Sequence, residues 1–313
     1  MPPYCELQGH RGARGLKPEN TLPSFEVAFD LGVTSVETDL HLTRDGVPVI
    51  THDAFLSDRL CRPAPVGRPL VATLSFAELR GYRADRNPDP PRFPGQDATM
   101  TPLAEAFARR HGIDPFTPPT LAELFAFADA YAGEPGARVG KTADQRARVR
   151  RVLFDLELKR VPFRPEFIGD RFDGRSPGQL ERNVVRAVRE AGVLDRTRIR
   201  SFDHRSVRAV QALEPALRTA VLIADTAPAS VTEVARSAGA SVYCPGVEFL
   251  DEPQVRQAHE AGLRVIPWTV NEPADWDRLL DWGVDGITTD FPDRLAARLR
   301  ERGVDFSGNN APW

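Results

Sequence analysis

Short β-like runs alternate with longer amphipathic stretches along almost the whole chain, and this rhythm calls for parallel strands joined by helical crossovers. The runs fall at residues 6–9, 35–42, 47–51, 152–158, 197–202, 219–223, 241–244, 265–270 and 286–289, one more than a closed eight-stranded barrel needs. The excess resolves at the second and third runs. Only Thr43-Arg44-Asp45-Gly46 joins them, and Asp-Gly is a strong hairpin signal. Parallel neighbours need a crossover of about a dozen residues, so this pair is antiparallel. The predicted fold class is α/β: a (β/α)8 TIM barrel, one domain over residues 1–313, with an inserted segment at about 56–118 after the hairpin of the second strand. The hairpin folds His52 back towards the Glu37–Asp39 end of its partner strand.

Helices are legible between the strands. Thr21 is placed to cap a helix with the apolar face Leu22, Phe25, Ala28 and Phe29 that stops at Gly32. Thr120 caps another, with Glu123 in the capping-box position. The stretch that follows His52 is rich in proline and arginine and holds two short helix candidates, around 76–79 and 103–109. An irregular segment of that length in a compact barrel is usually a functional lid or an inserted subdomain.

Active sites of such barrels lie at the carboxyl ends of the strands, so polar residues that finish apolar runs are the candidates. The first run ends in Gly9-His10-Arg11-Gly12, a titratable base beside a planar cation suited to phosphate. Glu37 and Asp39, two apart, share one face of their strand. Facing inward, they repel unless paired or bound to a divalent cation, and Mg²⁺ and Ca²⁺ select such oxygen ligands. His52-Asp53 ends the hairpin return. Asp155, Glu157 and Lys159 also share a face, and an inward set of three charges demands a metal or an anion. Glu157 would add a third carboxylate, and Lys159 a positive charge for phosphate. Trp268, near a strand end, is either the floor for an apolar part of a substrate or simply core. Asp290, before Phe291-Pro292, reads as a helix cap rather than a reactant.

These residues in this order resemble the glycerophosphodiester phosphodiesterase family. The likeness runs through His10-Arg11-Gly12, Pro18-Glu19-Asn20-Thr21, Glu37-Thr38-Asp39 and Thr43-Arg44-Asp45-Gly46, then Val47-Pro48-Val49-Ile50-Thr51-His52-Asp53. It continues at Leu156-Glu157-Leu158-Lys159, Ser201-Phe202-Asp203, Trp268-Thr269-Val270-Asn271 and Asp285-Gly286-Ile287-Thr288-Thr289-Asp290. The resemblance implies one divalent cation, Mg²⁺ or Ca²⁺, on Glu37, Asp39 and Glu157, with His10 and His52 as acid and base. Arg11 and Lys159 would neutralise the phosphodiester. Glu19 and Asn20 would stand close by, Glu19 reaching the metal site or bracing His10. It also implies that the glycerol 2-hydroxyl attacks first and water opens the cyclic phosphate. Where the family carries small residues, this chain has Ala13-Arg14 and Gly15-Leu16-Lys17, so Arg14 and Lys17 are expected to add charge at the mouth and bear on headgroup preference.

Composition narrows the partners. A net charge of -3 and a pI near 6.1 leave no global basic field for nucleic acid or anionic membrane. The expected partner is a small-molecule phosphodiester, with no nucleic acid and no transmembrane segment. Cys5, Cys61 and Cys244 match no metal-ligand pattern, and their odd number favours a reducing compartment. The expected location is therefore cytoplasmic, or periplasmic or secreted if a signal peptide has been removed. The rivals are a lysophospholipase D or phosphoinositide-type phospholipase C on the same barrel, with Phe76, Phe93 and Phe107 offered to acyl chains, and a silent phosphoester-binding barrel. A binding module has no need of two histidines.

Overall fold

The computed structural model describes residues 3–307. Its strands are β1 (Glu6–Gly9), β2 (Ser35–Leu42), β3 (Pro48–Ile50), β4 (Leu153–Leu158), β5 (Thr197–Ser201), β6 (Arg218–Ile223), β7 (Val242–Pro245), β8 (Arg264–Val265) and β9 (Gly286–Thr289). All but β3 run parallel, in the order β8-β7-β6-β5-β4-β2-β1-β9. Three backbone bonds of 2.9–3.0 Å, Asp285 N to Val265 O, Thr288 N to Pro267 O and Val270 N to Thr288 O, draw the last segments together. The result is a nearly closed TIM barrel. The run expected at 265–270 is regular only at its start, because Pro267 has no N–H for the ladder.

β3 is the hairpin return, paired antiparallel to β2 with Leu40 opposite Ile50 and Leu42 opposite Pro48. Gly46 takes the left-handed turn conformation at φ 81°, and Thr51 N donates to Asp39 O at 3.1 Å. This last bond fixes the chain entering His52 against the carboxylate end of β2.

Helices cover the outside of the barrel. Thr21 caps Leu22–Leu31 by accepting from Ser24 N, and Gly32 closes it at φ 76°. Thr120 and Glu123 form the capping box of Leu121–Ala132. Leu22, Phe25, Ala28 and Phe29 are buried against the sheet, as the 3.6-residue period requires.

Inside, the lower barrel is polar. Arg198 donates to Glu6 at 2.7 Å and to Asp155 at 2.6 Å, and all three are buried. Asp155 does point inward with Glu157, as period two dictates. Its charge, however, is met by Arg198 and Arg200 rather than by a metal or an anion.

Residues 51–120 carry a 3₁₀ turn, Val71–Thr73, and the helices Phe76–Leu79 and Pro102–His111. A small apolar cluster of Val49, Leu56, Cys61, Val71 and Leu79 holds the first part onto the hairpin. The later part is stitched to the loop after β1: Gln96 Nε2 donates to Arg14 O at 2.6 Å, and Asp97 N to Leu16 O at 3.1 Å. Lys17, expected at the mouth, is spent here, its ammonium 2.6 Å from both Asp97 Oδ1 and Thr99 Oγ1. Phe93 and Phe107 are core residues, and Phe76 packs on the small apolar cluster, so the three offer no shared acyl surface. The cysteines are buried and unpaired, and no helix among the described residues is long and apolar enough to cross a membrane.

Candidate active site

The end of β1 presents His10 inward, 7% exposed. Its Nδ1 lies 2.6 Å from Asp290 Oδ1, at the end of β9, and its Nε2 lies 3.8 Å from Glu37 Oε2. Burial and the adjacent Arg11 push the imidazole down to about 4, against the pull of Asp290. At neutral pH the ring is uncharged, and the Asp290 carboxylate selects the tautomer protonated on Nδ1. Nε2 is then bare. Burial alone would raise the Asp290 carboxyl, but His10, Arg14 and Asn271 hold it well below the usual range. Its second oxygen accepts from Asn271 Nδ2 at 2.8 Å and Arg92 Nη2 at 3.1 Å. Asp290 is therefore no helix cap. Phe291 occupies that position and gives no side-chain bond, because the proline that sets the helix start follows Phe291.

The three expected carboxylates converge. Glu37, Asp39 and Glu157 are all buried, and each offers an oxygen within 4.8 Å of the others. Parallel pairing sets Glu37 opposite Asp155 and Asp39 opposite Glu157, which carries the two strand ends to one level. Arg11 N donates to Glu37 Oε2 at 3.0 Å, and Arg200 Nη2 stands 3.0 Å from Glu37 Oε1. Asn20 Nδ2 donates to Asp39 Oδ2 at 2.9 Å, and Asn20 Oδ1 accepts from Thr38 Oγ1 at 2.7 Å. Lys159 Nζ lies 2.7 Å from Glu157 and 3.4 Å from Asp39.

Burial, only partly offset by Arg200, and crowding by Asp39 and Glu157 push the Glu37 carboxyl up to about 8. Burial opposes the ionised Asp39 too, but Arg11, Lys159, His52 and Asn20 keep it well below the ordinary carboxylate range. Glu37 and Glu157 each keep a buried oxygen without a well-aligned hydrogen bond. Three clustered hard oxygen donors, one of them forced towards its neutral form, fit a divalent cation such as Mg²⁺ or Ca²⁺.

Glu19 does not brace His10. It pairs with Arg11 at 2.8 Å and Arg14 at 2.6 Å, and so holds two guanidiniums at the rim. His52 Nδ1 lies 2.8 Å from Asp53 Oδ1, and the His52 carbonyl accepts from His41 Nε2 at 3.1 Å. A pocket of about 400 Å³ brings together His10, Arg11, His52, Glu157, Lys159 and Trp268. Trp268 stands edge-on to Phe202 at 5.3 Å, its Nε1 donating to Cys244 O at 2.9 Å. Sequence reasoning missed Arg200 and Arg92, which also line the pocket. Arg200 had the same signal as Glu157, an inward charge two residues from another on one strand. Arg92 lies in an irregular stretch and had none.

Residues 10–294 match the model of the glycerophosphoryl diester phosphodiesterase family. A solved structure from Silicibacter pomeroyi DSS-3, described as a candidate glycerophosphoryl diester phosphodiesterase, is 30% identical with a TM-score of 0.79, over 98% of this chain and 96% of that one. The glycerophosphodiester phosphodiesterase of Bacillus subtilis is 28% identical, over 91% of this chain and 83% of its own length. That of Caldanaerobacter subterraneus subsp. tengcongensis is 26% identical, over 94% and 97%.

Proposed function

Because the chain belongs to the glycerophosphoryl diester phosphodiesterase family, a family that hydrolyses glycerophosphodiesters, we propose that it releases an alcohol and glycerol 3-phosphate with one divalent cation and two histidines. The observation that carries this reading is the convergence of Glu37, Asp39 and Glu157, the last of which lines a pocket together with His10 and His52. A cation bound there supplies Lewis-acid stabilisation of charge on the non-bridging phosphate oxygens. The rest of the chemistry belongs to the side chains.

His10 is the base. Its Nδ1 is held by Asp290, so Nε2 is free to take the proton of the attacking hydroxyl as the new phosphorus–oxygen bond forms. His52 is the acid. Asp53 at Nδ1 orients the ring, and Nε2–H passes its proton to the departing alcohol oxygen as the old bond breaks. Water then opens the cyclic phosphate left by the glycerol's own hydroxyl, with the two roles exchanged, to give glycerol 3-phosphate. Arg11, fixed by Glu19 and Asp39, and Lys159, held between Glu157 and Asp39, set positive charge along the phosphate path. The chain acts as one barrel domain, with residues 56–118 contributing Arg92 to the pocket.

The test is the chelator-treated protein assayed on the ethyl ester of sn-glycerol 3-phosphate, with Mg²⁺ or Ca²⁺ restored and glycerol 3-phosphate measured. Turnover that depends on the ion and is lost in both His10→Gln and His52→Gln supports the reading. Near-normal turnover in both variants would sink the acid–base pair.

A further inference from the structure

A second pocket, of about 370 Å³, adjoins the catalytic one, and His52 and Lys159 line both. Its character is different. Phe55 and Phe167 meet edge to face at 5.2 Å, with Val161 beside them and the Arg68 guanidinium 5.5 Å from the Phe55 ring. Phe55 follows β3, and Phe167 ends a 3₁₀ turn after β4, so the pocket is built from the loops that also deliver His52 and Lys159. Along the same loop Val161 is 42% exposed and Phe163 86% exposed, which extends the apolar lip into solvent. Large exposed apolar side chains next to a pocket mark a binding surface more often than chance.

We propose that this pocket receives the apolar part of the departing alcohol, so that the substrate class is glycerophosphodiesters whose second ester carries an alkyl or aryl group. The inference rests on His52 being the acid. A group that protonates the leaving oxygen must touch it, and His52 forms the partition between the two pockets. Whatever is bonded to that oxygen extends past His52 and meets Phe55, Phe167 and Val161. Charge argues against a quaternary ammonium here, since Lys159 and Arg68 are cationic and the one acid present, Asp53, is held by His52. A volume of this size suits a ligand fragment of several carbons.

The experiment measures kcat/KM for the ethyl, butyl and hexyl esters of sn-glycerol 3-phosphate in the wild-type protein with Mg²⁺. A rise of up to about fourfold per methylene is expected, the value for burying each group. In Val161→Asp, at an exposed position that tolerates charge, the hexyl-to-ethyl ratio should fall towards one; Phe167→Ser should lower it as well, with folding checked by thermal melts. Hydrolysis of all three esters at one rate, or an unchanged slope in both variants, overturns the apolar subsite while leaving the phosphodiesterase reading standing. Failure to hydrolyse any ester overturns that reading and the subsite with it.

Discussion

His10 and Asp290 stand 280 residues apart in the chain, yet their side chains meet at 2.6 Å between Nδ1 and Oδ1. The contact exists because β1 pairs with β9, Gly9 opposite Thr289, so the residue that follows each strand faces the other across that ladder. It assigns the proton on His10 to one nitrogen and leaves the other to act.

Asp290→Asn keeps the shape and removes the charge that orders the imidazole. We expect kcat to fall roughly 10²–10⁴-fold, the usual worth of a positioned acid–base group, with KM little altered. Steady-state kinetics decide it. A kcat within about threefold of wild type would show that His10 needs no such partner.

Ligand linkage predicts that Mg²⁺ or Ca²⁺ stabilises the fold. At 100 times Kd the gain is about 2.7 kcal/mol, read as a rise in Tm that grows with ion concentration. Glu157→Gln removes one of the three converging carboxylates and should abolish most of that rise. An equal shift in the variant would place the ion elsewhere.

Without added ion, stability should depend on pH through Glu37. Its folded carboxyl is pushed up to about 8 by burial and by Asp39 and Glu157, from an ordinary value of 4.5. Between pH 6.5 and 8 the folded chain therefore holds a proton that the unfolded chain has lost, and stability declines as pH rises. The decline amounts to about 2 kcal/mol across that window. Urea unfolding in EDTA at both pH values should show it in wild type and not in Glu37→Gln. A flat profile in wild type would contradict the crowding of these acids.

Arg198 serves the barrel rather than the reaction. Its guanidinium is shared between Glu6 and Asp155, both sealed from water. Arg198→Met removes the ion-pair partner of Glu6 and leaves Asp155 with Arg200, and should cost about 3–5 kcal/mol, the range for breaking a buried ion pair from one side. Denaturant melts that show less than about 1 kcal/mol would mean that water reaches these groups.

Local chemistry made much of this readable in the sequence. The Asp-Gly turn places His52, period two brings Glu37 and Asp39 to one face, and helix caps such as Thr21 and Thr120 mark where crossovers begin. Contacts created by barrel closure leave no local trace. Asp290 followed by a hydrophobic residue and a proline looks like any helix start, and its bond to His10 depends on β1 finding β9. Lys17 reads as a free charge at the mouth, and only the folded chain brings Asp97 and Thr99 to it. Asp155 reads as inward, but its counter-charges, Arg198 and Arg200, come from the next strand.

The antiparallel hairpin divides the labour of the molecule. The converging carboxylates and His10 stand on the parallel staves or at their ends. His52 follows β3, the antiparallel strand of the sheet, together with Phe55 and the loop that carries Arg68. On the proposed role of His52, grafting residues 52–73 from a relative should change which alcohol is released and leave the parallel staves as they are.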